Sequence, residues 1–245
     1  MKLFFTPDIP ADAEVGLTVV LPQEEAAHCV RVLRLTVGDT LTLTAGKGFF
    51  YEAQILEASQ KRVVCSILSV TPWQKGWKAS IHLVVAPTKN MDRIEWMSEK
   101  VTEMGIDELS FVNCRFSERK VLKLERVQKI VISAMKQSLK ALMPSLHELE
   151  DFKHFIQHPI EGRKFIAHCY PGEKPLLRDL LLQSLEQNSS HLSITILIGP
   201  EGDFSEDEVK QALEQGYEPI SLGTSRLRTE TAALVAVMTA QIATN

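Results

Sequence analysis

From residue 80 onward the chain alternates between short apolar runs and segments of helical spacing, and this alternation limits the fold more than any other feature. SIHLVVAP, ELSFVN, KFIAHC, ITILIG and EPISLG read as strands. Helices are expected over Met91 to Met104, about Leu122 to Leu142, Pro175 to Gln187, Ser205 to Gln215 and about Glu230 to Ile242. Strands separated in this way by helices build a parallel α/β sheet.

Residues 1 to about 70 follow another period. TLTLTA (Thr40 to Ala45) alternates apolar and polar positions, AGKG turns the chain, and FFYEAQILEA leads back out. RVVCSILSV (Arg62 to Val70) adds a strand, and one helix interrupts over about Glu24 to Leu35. A small barrel with one helix fits this pattern. TPWQKGWKA, with Pro72 and Gly76, reads as a linker over 71–79, leaving 80–245 as the second domain.

The 245 residues suffice for two modest cores. With 44% hydrophobic and 24% charged residues, and no apolar run near the roughly 18 that a membrane span requires, a cytoplasmic globular protein is expected. Cys29, Cys65, Cys114 and Cys169 lie far apart, so buried reduced thiols are expected rather than a disulfide framework or a metal site. His154 and His158 in HFIQH stand one helical turn apart but run straight into Pro159, so surface or linker histidines are expected there, and no metal. The net charge of −4 neither supports nor excludes an RNA partner, which would need locally concentrated positive charge.

ILIGPEGDFSEDEV (Ile196 to Val209) passes from a buried strand through a glycine bend into a helix. Gly199 and Gly202 remove side chains where a backbone would approach a ligand, and Pro200 stiffens the turn. Ser205 and Glu208 have capping-box spacing. Ligands of open α/β sheets sit outside the carboxyl ends of the strands, which suits a binding loop. The bend lacks the glycine triplet or Gly-Lys-Ser/Thr of a phosphate loop, and Glu201, Asp203, Glu206, Asp207 and Glu208 oppose polyphosphate. Ribose hydroxyls or a cationic sulfonium fit this acidity; so does a plain tight turn before a well-capped helix.

SLGTSRLRTETAALVAVMTA (Ser221 to Ala240) repeats the arrangement of strand, glycine, irregular segment and helix. Thr229 is a plausible N-cap, and Glu230 in the first turn complements the helix dipole. Capping does not account for Arg226 and Arg228 between a strand end and a helix start.

Together the two stretches are similar to the carboxyl-terminal signature of the SPOUT methyltransferases, in particular the RsmE-type ribosomal RNA uridine methyltransferases. Gly199, Pro200, Glu201, Gly202 and Phe204 match that pattern, as do Leu222, Gly223, Leu227, Arg228, Glu230, Thr231 and Ala232. Lys89, Arg93, Glu95, Lys100, Thr102, Glu103 and Gly105 match a second block, and ERVQKIVISAMKQS and HCVRVLRLTVGD two more. The chain departs at Asp203, where the family usually has glycine, and at Ser225-Arg226, where an arginine is displaced by one position. Lys136, Leu139 and Lys140 replace a glutamate, a glycine and an arginine.

The resemblance implies an α/β fold: a C-terminal SPOUT-type trefoil-knotted parallel α/β domain with an N-terminal PUA-like β-barrel for RNA. It implies S-adenosyl-L-methionine as cofactor, a homodimer, and methylation of the uracil imide nitrogen at one uridine of 16S ribosomal RNA, within the assembled small subunit. Cofactor contacts are implied for Gly199, Glu201, Gly202, Leu222, Gly223, Leu227, Thr231 and Ala232. The uracil imide is a poor nucleophile at neutral pH until its proton leaves or the charge spreading to the carbonyl oxygens is stabilised. Arg228 would stabilise that oxyanion, and Glu230 would orient it or accept the proton; Glu201 and Glu230 could instead cap backbone amides. Another SPOUT enzyme acting on transfer RNA or a ribose hydroxyl, and a non-catalytic ribosome assembly protein, stay open as rivals.

Residues 115 to 140 carry eight basic residues against Glu118 and Glu125. At about 100° per residue, Arg126, Lys129, Lys136 and Lys140 fall within roughly an 80° arc of one helix, opposite an apolar arc. This stripe is either a solvated face or a phosphate-binding face; with Arg34, and with His28 and Arg31 as weaker additions, it is the expected RNA contact.

Overall fold

The computed structural model describes residues 2–187 and 192–244. The outermost residues of the expected domains, 1 and 245, lie outside this range. The chain divides into two compact units, residues 1–75 with 132–143, and residues 76–131 with 144–245.

The first unit contains β1 (Leu3–Phe5), β2 (Thr18–Val20), α1 (Gln23–Ala27), β3 (Thr40–Thr44), β4 (Phe49–Ala58) and β5 (Val63–Pro72). The strands form one mixed sheet in the order β1-β3-β4-β5-β2, with β1 parallel to β3 and the other pairs antiparallel. Its outer strands β1 and β2 are not paired with each other, so the expected barrel is a half-barrel. It wraps a core that includes Phe4, Leu43, Tyr51, Ile55 and Ile67. Each large apolar side chain buried there contributes about 1.5–3 kcal/mol. Two of the polar positions of TLTLT, Thr42 and Thr44, are also buried, and they are hydrogen-bonded: the Thr42 hydroxyl donates to Glu52 (2.7 Å) and the Thr44 hydroxyl to the Ala141 carbonyl (3.3 Å).

Residues 132–143 join this unit through the AGKG turn. Gly46 has φ 72°, and a Cβ there would lie 2.8 Å from that of Met143, so only glycine lets the two segments close. The helix expected over Glu24 to Leu35 is shorter than its pattern. After α1 a single π-helical turn, His28–Val32, follows, and Arg34 at φ 53° ends it.

The second unit contains β6 (Ser80–Val85), α2 (Met91–Met104), β7 (Glu108–Asn113), β8 (Ser145–Asp151), α4 (Phe152–Phe155), β9 (Arg163–Ala167), α5 (Leu177–Gln187), β10 (Ser193–Ile198), α6 (Glu206–Glu214), β11 (Glu218–Ile220) and α7 (Thr229–Ala243). The strands pair in the order β11-β9-β10-β6-β7-β8, every pair parallel. The central strands are buried on both faces: Ile194, Ile196, Leu197, Leu83, Val84 and Val85 are all inaccessible. At the edge, Arg163 of β9 forks onto Glu218 of β11 with bonds of 2.5–3.0 Å.

β8 and α4 have no counterpart in the sequence-based expectation. α3 (Leu124–Gln137) passes from one unit to the other. It stops well short of Leu142 because Leu139 adopts φ 55° and the Lys140 N–H turns back to the Met135 carbonyl (3.0 Å), a left-handed C-terminal cap.

From the edge strand β11 the chain returns across the sheet, and α7 packs on α2, α5, β6 and β10. The close approach explains the small residues of α7: Ala233, Ala236 and Ala240 are fully buried, and the Gln241 amide donates to the Gly105 carbonyl at 2.5 Å. No helix among the described residues is long and apolar enough to cross a membrane.

Candidate active site

Three loops leave the carboxyl ends of β9, β10 and β11 and line one cavity of about 910 Å³. They span residues 167–174, 198–203 and 220–232, and all belong to the second unit. The position obeys the rule for open α/β sheets, in which strand ends and helix starts leave backbone groups facing a crevice.

Hydrogen bonds tie the loops together. Thr229 stands inside the first turn of α7 rather than at its N-cap, which is Arg228 in extended backbone. Its hydroxyl therefore does not cap the helix but donates to the Gly199 carbonyl (3.0 Å), joining the third loop to the second. The Asp203 carboxylate accepts from the backbone N–H of Cys169 (2.7 Å) and of Phe204 (2.8 Å), joining the second to the first. The Tyr170 hydroxyl donates to the Phe204 carbonyl (2.8 Å).

The glycines of the bend, whose backbone lines the cavity, also make room for protein. A Cβ on Gly199 would meet the Phe204 ring at 3.0 Å, and one on Gly202 would meet the Phe116 Cβ at 2.9 Å. Gly223 has open space around it but φ 125°, so there the backbone conformation requires glycine. The capping box is formed: the Glu208 carboxylate accepts from the Ser205 N–H (2.8 Å), and its other oxygen accepts from the Arg115 N–H (2.8 Å).

Gly199, Glu201, Gly202, Leu222, Gly223, Leu227, Arg228 and Ala232 line the cavity together. Thr231 is exposed and Glu230 is buried, and neither belongs to the lining. One oxygen of Glu230 lies 3.7 Å from the Arg93 guanidinium on α2; the other is buried without a hydrogen-bond partner. Glu201 accepts from the Lys89 N–H (3.0 Å), which fastens the bend to the segment between β6 and α2. That N–H bond is the amide-capping alternative realised for Glu201, without excluding a ligand from its second oxygen.

The loop after β9 is the wall that sequence reasoning missed. His168 carries an Nδ1 that is buried and unpartnered; burial first, then nearby Lys174, holds its imidazole below the usual range. Cys169 is exposed at this wall, against the expectation that all four thiols are buried. Burial first and the Asp203 carboxylate second push its thiol up.

A family model of the RNA methyltransferase domain matches residues 75–241, and one of the RNA methyltransferase PUA domain matches residues 21–68. The chain belongs to the RNA methyltransferase domain family. It is 27% identical to the ribosomal RNA small subunit methyltransferase E of Bacillus subtilis, over 97% of this chain and 94% of that one. The crystal structure of a probable rRNA-methyltransferase from Porphyromonas gingivalis superposes with TM-score 0.85 at 41% identity, covering 99% of each chain. A ribosomal RNA small subunit methyltransferase E from Neisseria gonorrhoeae, bound to S-adenosyl methionine, superposes with TM-score 0.82 at 28% identity, covering 97% of this chain and 95% of that one.

For an RNA methyltransferase the placement of basic side chains matters, and the expected outward stripe does not form. Lys140 lies beyond the end of α3, so the helical arc does not apply to it. Lys136 is three-quarters buried in an ion pair with Glu25, and Arg126 is paired with Glu95. Lys129 and Arg34 are exposed. A second, smaller cavity of about 400 Å³ lies beyond the carboxyl ends of β7 and β8, between Lys120, Lys153 and the start of α6. His158 is turned to Glu150 (3.0 Å) and only His154 lies in α4, so the two histidines do not form a pair.

Proposed function

We propose that the chain transfers the methyl group of S-adenosylmethionine to the uracil imide nitrogen of one uridine in 16S small-subunit ribosomal RNA. The observation that carries this reading is the convergence of three backbone-rich loops, with Arg228 among them, on one cavity at the carboxyl ends of β9, β10 and β11. The Neisseria relative, alike over nearly its whole length, was solved with S-adenosyl methionine. The residues present fit that group: carbonyl and N–H groups of the loops for the adenosine, and the acid Glu201 to balance the sulfonium charge.

The bound cofactor supplies an electrophilic methyl group. Arg228, exposed at the cavity and fixed at the N-cap of α7, stabilises the charge that gathers on the uracil carbonyl oxygens as the imide proton leaves. Glu230 follows it in the first turn. Its buried carboxylate facing Arg93 suits orientation of this helix start better than contact with the leaving proton. Lys129 and Arg34 contact RNA phosphates; Lys140 joins them, and Arg126 and Lys136 do so on release from Glu95 and Glu25. Of the implied cofactor contacts, Thr231 lies outside the lining and is assigned no role.

The reading includes a cytoplasmic homodimer acting on the assembled small subunit, with the chain first crossing between its two units within residues 71–79 and residues 132–143 returning to the first. An exposed apolar strip on α7, with Met238 and with Ile242 at 70% exposure, supports a second copy as its cover. The test is labelled methyl transfer onto unmethylated small subunits and onto naked RNA, followed by nucleoside mass spectrometry. Methyl on a ribose oxygen or on another base would sink the uracil assignment.

A further inference from the structure

Among the described residues, Asp203 is one of three non-glycine residues with positive φ, at 68°. That region is unfavourable for an ordinary side chain and is best tolerated by asparagine and aspartate. The strained backbone aims the carboxylate sideways, and both oxygens are used. One accepts from the Cys169 N–H (2.7 Å) and the other from its neighbour Phe204 (2.8 Å). Cys169 is the second residue past the end of β9 and Asp203 the fifth past the end of β10, so one side chain spans two walls of the cavity. A glycine would adopt the same backbone but make neither bond.

We infer that Asp203 is a positioning residue that latches the loop after β9 to the glycine bend and so preforms the cofactor cavity before any ligand enters. The inference rests on the proposed function for the identity of the ligand, but the latch itself does not. Charge-assisted bonds of this length are about twice as strong as neutral ones, and holding a loop in its bound shape removes its ordering cost from binding. The first loop has a further tether in the Tyr170 hydroxyl, so losing the latch loosens that loop without unfolding the domain.

The test compares Asp203→Gly, which keeps the backbone and removes both bonds, with Asp203→Asn, which keeps one acceptor oxygen. Calorimetry with S-adenosylmethionine should give affinity about tenfold weaker for the glycine variant and an intermediate value for asparagine. The second readout needs no cofactor. Cys169 is the exposed one of the four thiols, and its rate of alkylation by iodoacetamide can be followed by mass spectrometry. The groups acting on that thiol are Asp203, which raises its pKa, and Arg226 and Lys174, which lower it. Without the Asp203 charge the alkylation profile should move to lower pH, and in the glycine variant the rate should also rise at high pH, where the thiol is fully ionised. Unchanged alkylation in both variants overturns the latch. Faster alkylation with unchanged cofactor affinity overturns its service to the cavity. If the unaltered chain binds no S-adenosylmethionine, the functional reading fails, while the alkylation comparison still decides the latch.

Discussion

The hydroxyl of Thr229 donates to the carbonyl oxygen of Gly199 across 3.0 Å in a buried setting, so one hydrogen bond joins the start of α7 to the bend after β10. The two segments are thirty positions apart in sequence, and each lines the cavity. Thr229→Val preserves the shape and leaves the carbonyl unsatisfied, at a cost of about 1–3 kcal/mol. Urea unfolding should show that loss and calorimetry should show weaker cofactor binding, with both restored by Thr229→Ser.

Arg228 and Glu230 differ in what they face, and their variants should differ accordingly. Arg228→Ala should lower kcat by roughly 10²–10³, as loss of an oxyanion donor does, with little change in cofactor affinity. The reverse split would make Arg228 a cofactor residue. Glu230→Gln leaves the Arg93 guanidinium without its anionic neighbour; a smaller loss of turnover is expected, and normal turnover would remove Glu230 from the proposal.

Lys136 and Lys129 test whether charge on α3 serves the fold or the RNA. Lys136→Met leaves Glu25, only 12% exposed at its side chain, without its cation and should cost about 2 kcal/mol of stability. Lys129→Ala should leave stability alone and lower the salt dependence of RNA binding by about 0.7–0.9 in log–log slope. Equal effects of the two on the salt slope would show that Lys136 leaves Glu25 to reach phosphate.

Acid should destabilise the second unit through His82. Burial first, then His147, outweighs the opposing Glu108 carboxylate and lowers its pKa from 6.5 to about 4. The folded state thus favours the neutral ring, which shares a 2.7 Å hydrogen bond with the Ser110 hydroxyl. The stabilisation is complete above pH 6.5 and is lost progressively as pH falls to about 4, to a total of about 3 kcal/mol. Denaturant unfolding of His82→Gln should fall less steeply across that window; parallel curves would show that other groups carry the acid sensitivity.

The sequence made most of the α/β half legible because its central strands are apolar on both faces and its bends carry glycine. β8 escaped notice for the opposite reason. SLHELED lies at a sheet edge with only Leu146 and Leu149 apolar, three apart, so neither period appears. Arg34 escaped because a left-handed residue other than glycine leaves no compositional trace; Leu139 and Asp203 stand where the resembled family has glycine, and that was the one sign of their left-handed backbone. Two of the cavity walls were readable from their glycine and arginine motifs. The third, with His168 and Cys169, was not: its backbone is held by an aspartate thirty-four positions away, and nothing local to the loop announces that.

The return of α7 from the sheet edge to its centre also sets an order of assembly. A ribosome makes the chain from its amino end, so a nascent polypeptide that has emerged only through α6 owns two of the three walls, and Gly199 still lacks the hydroxyl that will clasp it. The donor hollow is therefore completed late in synthesis, and polypeptides released before α7 would have no finished place for the methyl donor to lodge.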